Sequence, residues 1–161
     1  MLSAVAMIVF VIEAQVPVPI PIPGVKLGLA NVITLFALRI FGRRAAGMVL
    51  LVRIVLGNLV IGQLMAMLYS LAGGVLCWLV MSLLTKFMSQ NQIWILSIFG
   101  SIAHNVGQLA VAVWITGTPS ILVYAPVLLL IGMVTGFFTG KCAQYVIIRM
   151  QRLRSSCQNR S

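Results

Sequence analysis

The chain has 161 residues, 61% of them hydrophobic and 7% charged, with a mean hydropathy of +1.14. That composition excludes a soluble globular domain as the default and reads as an integral membrane protein, all-α in class. Eleven basic residues against one acid leave a net charge of +10, but their positions are those of loops flanking membrane spans, so no nucleic-acid partner is expected.

Residues 1–16 form the first apolar run. Met1 to Ile12 contains no Lys or Arg, so the stretch lacks the basic region of a secretory signal peptide and reads as a mature helix. It is slightly shorter than the about 20 residues that cross roughly 30 Å of hydrocarbon, so a missing inner end is one expectation for this run. Near its outer end stands Glu13, the single acidic residue. There follow Pro17, Pro19, Pro21 and Pro23, alternating with Val18, Ile20 and Ile22 and running into Gly24 and Lys26. Prolines at every second position neither continue a helix nor donate to a ladder, so this segment is expected to be an extended strap of about 3.1 Å per residue. It is either a stiff connector or a lid across the mouth of a bundle.

Further apolar runs bounded by Gly, Pro and charge give spans at about 27–42, 45–62, 64–85, 92–115 and 121–149, six in all. The expectation is one six-helix transmembrane domain over residues 1–149 and a basic tail over 150–161. With six spans both termini share a side. Arg39, Arg43, Arg44, Lys86, Lys141, Arg149, Arg152, Arg154 and Arg160 then fall together, nine of the 11 cations, and the positive-inside rule makes that side cytoplasmic. The protein is expected in the cytoplasmic, or inner, membrane, with the strap outside. The tail reads as a solvated flank, with anionic lipid or a cytoplasmic partner as the alternative.

Inside the spans, polar groups stand out. Arg53 lies near mid-depth of the third span, where an unpaired guanidinium costs about 2.5–3.5 kcal/mol on insertion scales. Glu13, an anionic ligand, or carbonyls together with Asn58 are its candidate partners. The fifth span places Ser97, Ser101, His104 and Gln108 on one stripe, widened by Asn105. Such a stripe faces a bundle interior or a watery cavity, as a satisfied network or as a ligand site. By depth, Glu13, Asn31, Thr34, Asn58, Gln63, His104, Asn105 and Gln108 are expected to converge beneath the strap as an outward-facing pocket. Gly132, Gly136 and Gly140 recur every four residues in the last span, and Ala66, Ser70 and Gly74 in the fourth. Both read as packing seams, or as a docking face for another membrane subunit.

Several chemistries are poorly supported. With no Asp and one Glu there is no aspartate-rich magnesium site and no carboxylate pair. No phosphate-cradling loop of the ATPase type occurs, and His104 has no evident nucleophile or orienting acid. Cys77, Cys142 and Cys157 lack metal-ligand spacing and are expected as free thiols. No metal, cofactor or catalytic residue is therefore assigned.

Glu13 with the proline strap, Gly24-Val25-Lys26-Leu27-Gly28-Leu29-Ala30-Asn31, Ser70-Leu71-Ala72-Gly73-Gly74, Ala103-His104-Asn105-Val106-Gly107-Gln108 and Thr135-Gly136-Phe137-Phe138-Thr139-Gly140 together resemble the Gx transporter family. That family is also labelled heptaprenyl diphosphate synthase component I. The resemblance covers nearly the whole chain and departs at the N-terminus, where the family's first helix begins earlier with basic residues. The family is similar in size and topology to the S components of energy-coupling factor (ECF) transporters. The resemblance therefore implies a six-helix substrate-binding subunit that works with a transmembrane coupling subunit and cytoplasmic ATPases, with the first outer loop as lid. Ser3, Ala4 and Ala6 give only a weak version of the small-residue face that S components present to their partner. On this reading the chain is not an enzyme but binds a small organic molecule, an anion among the candidates, for uptake. Lys26 or Arg53 would hold negative charge, Asn31, Asn105 and Gln108 would give directional hydrogen bonds, and His104 would read a polar ring or carboxylate. Glu13 and Asn58 complete the candidate set. Two alternatives stand beside it: a non-catalytic accessory of a polyprenyl diphosphate synthase, and a self-sufficient secondary carrier.

Overall fold

The computed structural model describes Ile8, Ile12, residues 31–62 and residues 64–158, and all regular structure there is helical. In chain order the helices are α1 (Asn31–Ile40), α2 (Arg43–Ile61), α3 (Leu64–Leu84), α4 (Ile93–Thr116) and α5 (Ala125–Gln158), with short 3-10 turns at Gln90–Gln92 and Pro119–Tyr124. Glu13, the proline strap, Gly24, Lys26 and Gln63 lie outside the described residues.

The boundaries follow local chemistry. Gly62 and Gly117 end α2 and α4 in the left-handed region at φ 72° and 62°, where an L side chain is strained and glycine is not. Their amides return to the preceding turn, Gly62 to the Asn58 carbonyl at 2.9 Å and Gly117 to the Val113 carbonyl at 2.9 Å. No Pro or Gly interrupts the chain from Lys141 to Gln158, so α5 runs through to Gln158 instead of stopping at 149. Residues 150–158 thus continue the last helix.

Among the described residues, three stretches are long and apolar enough to cross a membrane: Met65–Leu84, Ile93–Thr116 and Pro119–Met150. The sequence suggested six spans. α2 reaches 19 residues but carries Arg43, Arg44 and Arg53, and α1 has 10 described residues. α2 nevertheless has an inside-out pattern. Arg53 and Asn58 are buried with Leu50 and Ile54, while Leu51, Val55 and Leu59 are exposed. Polar residues inside and aliphatic residues outside suit a lipid surround, since water would favour the reverse.

α4 is the central helix, packed along its length against α3 on one side and α5 on the other. One apolar core gathers Leu35 and Leu38 of α1, Cys77 and Met81 of α3, Leu96 of α4 and Ile147 of α5. A smaller one joins Tyr69, Ala112 and Leu128. Apart from the buried Arg53, described basic residues such as Arg39, Arg43, Arg44 and Lys86 collect at one end of the bundle. There an Arg39 terminal guanidinium nitrogen donates to the Met88 and Ser89 carbonyls at 3.0 and 3.3 Å, and Lys141 Nζ stands 5.1 Å above the Trp94 ring.

Candidate functional site

Buried polar side chains, together called the polar layer below, come from four helices of the bundle. α1 contributes Asn31 and Thr34, α2 Arg53 and Asn58, α3 Ser70, and α4 Ser97, Ser101, His104, Asn105 and Gln108. In an apolar chain these are the residues whose burial needs a reason, because a polar group taken from water without a partner costs about 1–3 kcal/mol.

Arg53 and Asn31 meet. The guanidinium, 2% exposed, donates from one terminal nitrogen to Asn31 Oδ1 at 3.1 Å, tying α2 to α1. Arginine can only donate, so the Asn31 carbonyl oxygen must be the atom that faces it. The Asn31 amide nitrogen is thereby turned away, and it has no hydrogen-bond partner among the described residues. Asn58 does not join this pair. Its Nδ2 donates to the Ile54 carbonyl of its own helix at 2.7 Å, leaving Oδ1 without a described partner. The Thr34 and Ser70 hydroxyls and Asn105 Oδ1 are in the same condition.

His104 and Gln108 pack against Gly73. A Cβ at Gly73 would stand 2.7 Å from the His104 carbonyl oxygen and 2.9 Å from both His104 Nδ1 and Gln108 Cγ. A Cβ on the adjacent Gly74 would instead meet Ile54 and Leu50 of α2 at 2.8 and 3.0 Å. The Gly73-Gly74 pair therefore lets α3 lie close to α4 and α2 at once. Asn105 belongs to the other side of α4, where its Nδ2 donates to the Leu128 carbonyl of α5 at 2.8 Å.

The glycine stripe of α5 faces α4. A Cβ on Gly132 would collide with Asn105 Nδ2, one on Gly136 would stand 2.8 Å from Ser101 Oγ, and one on Gly140 2.7 Å from the Trp94 Cα. Ser97 and Thr139 touch across this seam, their hydroxyls 3.3 Å apart. Part of the polar stripe read from α4 thus serves the α4–α5 contact.

Two grooves lined by described residues lie elsewhere. One, of about 690 Å³, is an apolar furrow between α3 and α4 that includes Leu68, Val75, Val106 and Trp114. The other, of about 530 Å³, lies at the basic end. Its Trp78 and Ser82 went unassigned in the sequence and Lys86 was read only as a cytoplasmic flank, although the three stand four residues apart and so share one helix face. Gly73 stood in a quoted motif without a role, since a glycine shows its neighbour only once the helices are packed.

Chemically the layer offers amide, hydroxyl and imidazole groups and one guanidinium, which suits holding a polar or anionic molecule. Among the described residues no cluster of three or more His, Cys, Asp or Glu is placed to hold a metal. Cys77 and Cys142 are free thiols, one buried and one exposed.

A family model described as heptaprenyl diphosphate synthase component I matches residues 2–146. No curated protein and no solved structure matches the chain.

Proposed function

The chain belongs to the heptaprenyl diphosphate synthase component I family, and on that premise we propose that it is a non-catalytic membrane subunit that binds a small organic molecule, anions preferred, in its buried polar layer. The observation that carries this reading is Asn31. Its oxygen is engaged by Arg53, and its amide donor, turned away from the guanidinium, is left over in a buried setting, so one buried side chain joins a cation on one side to a spare donor on the other. That pairing fits a carboxylate or phosphate oxygen. His104, Asn105, Gln108 and Asn58 are assigned as further contacts, Glu13 and Lys26 as rim groups, and the strap of Pro17, Pro19, Pro21 and Pro23 as the lid. In the transport form of the proposal, uptake is energised by a separate transmembrane coupling subunit and cytoplasmic ATPases, with both termini cytoplasmic.

The family description favours a second reading over transport: a membrane accessory of a polyprenyl diphosphate synthase. With Glu13 as its one acid and no Asp, this chain would leave the magnesium-diphosphate chemistry to another subunit.

Ligand-dependent stabilisation tests the binding claim. A molecule present at 100 times its Kd adds about 2.7 kcal/mol to the folded state, so screening vitamins, nucleobases and prenyl phosphates by thermal shift in detergent should reveal one class that protects. A panel with no protective member would contradict it. Co-purification with a soluble, Asp-rich prenyltransferase, and loss of long-chain product on deletion, would select the accessory role.

A further inference from the structure

The groove at the basic end lies between the start of α2 and the last turns of α3. Arg43, Arg44 and Lys86 line it together with Trp78, Ser82 and Leu83. Arg43 and Arg44 open α2, and the residue before them, Gly42, makes no side-chain cap. Two cations at the positive end of a helix dipole, beside uncapped amides, repel one another and the helix end. A bound anion relieves both.

A second observation points the same way. Ser82 is 7% exposed, lines the groove, and its hydroxyl has no hydrogen-bond partner among the described residues. The back wall is fixed. Trp78 Nε1 donates to the Arg43 carbonyl at 3.2 Å, and its ring lies against Gly47, where a Cβ would stand 3.4 Å from it. The remaining wall is aliphatic and outward-facing, with Leu79 and Leu83 50% and 61% exposed. A soluble anion would leave that wall unused. An occupant with a charged head and a long apolar tail covers both parts.

We propose that this groove binds an anionic phospholipid, with its phosphate between Arg43, Arg44 and Lys86, Ser82 as a hydroxyl donor, and an acyl chain along Leu79 and Leu83. Basic pockets between helices at a membrane surface hold such headgroups, each cation contributing about fivefold in affinity. The site is separate from the polar layer and does not depend on what that layer binds.

The test uses the full chain in nanodiscs with Trp94 and Trp114 replaced by Phe, so that Trp78 is the sole indole. Brominated phosphatidylglycerol should quench Trp78 several-fold more than brominated phosphatidylcholine at equal mole fraction. The triple variant Arg43→Gln, Arg44→Gln, Lys86→Gln should abolish that preference. Equal quenching by the two lipids, or a preference that survives the triple variant, would overturn the proposal. Displacement of the lipid effect by inorganic phosphate alone would overturn it too, in favour of a soluble anion. If the triple variant does not fold, the parent decides: added salt should weaken the preference, and a salt-independent preference refutes a charge-held headgroup.

Discussion

Gly73→Ala and Gly100→Ala make the same chemical change on the same α3–α4 contact, and the structure separates their outcomes. A Cβ at Gly100 would stand 2.7 Å from Met81 Sδ and 2.9 Å from Met81 Cγ, atoms of a flexible side chain and not of the backbone. At Gly73 the nearest atom, also at 2.7 Å, is the His104 backbone carbonyl oxygen. That atom cannot turn aside. Overpacking a rigid contact costs about 1–3 kcal/mol, while exchanging Gly for Ala in a helix returns about 1 kcal/mol at both positions. A 2.7 Å approach to a backbone atom falls in the upper half of that range, so Gly100→Ala should be near neutral and Gly73→Ala destabilising by about 1–2 kcal/mol. For a chain of this size about 2–4 °C corresponds to each kcal/mol, so thermal unfolding in detergent should place Gly73→Ala about 2–8 °C below Gly100→Ala. Because His104 and Gln108 flank the new methyl, Gly73→Ala should also lose ligand retention. Equal melting of the two variants would refute the close approach of α3 and α4 at Gly73.

Trp78→Phe removes the 3.2 Å hydrogen bond to the Arg43 carbonyl and should cost about 1 kcal/mol, read as a drop of about 2–4 °C in the same melt. Arg39→Gln shortens the side chain that reaches the Met88 and Ser89 carbonyls, so amide exchange across residues 85–92 should speed up while the α4–α5 contact keeps its protection. Ser97→Ala should cost less than about 1 kcal/mol, because Thr139 keeps its 2.7 Å bond to the Thr135 carbonyl. A larger loss would mean that the 3.3 Å hydroxyl pair matters more than its geometry allows.

Much of the helical layout was legible because apolar runs and their breakers act locally. The expected spans at 45–62, 64–85 and 92–115 lie within two residues of α2, α3 and α4 at each boundary. The last span differed at both ends. Pro119–Tyr124 forms a 3-10 turn before α5, and the basic continuation stays helical since nothing in it breaks a helix. Partners were harder to read. Arg53 and Asn31 are 22 residues apart in sequence, and no periodicity links separate helices, so the sequence offered Glu13, an anionic ligand, or carbonyls with Asn58 for Arg53 but not Asn31. The polar stripe of α4 was legible as a stripe. Its division between Gly73 of α3 and the carbonyl of Leu128 in α5 depends on how three helices cross, which no single helix encodes.

Mass spectrometry of the protein purified gently in detergent is the most direct measurement of whether the polar layer holds a ligand. A small organic molecule, anionic in the expected case, should be recovered in near-stoichiometric amount with the natural chain. It should be depleted at least tenfold from Asn31→Leu, which removes both the acceptor for Arg53 and the spare donor beside it. Repeated recovery of an empty natural chain, or equal recovery from a folded Asn31→Leu variant, would contradict a ligand site built on Arg53 and Asn31.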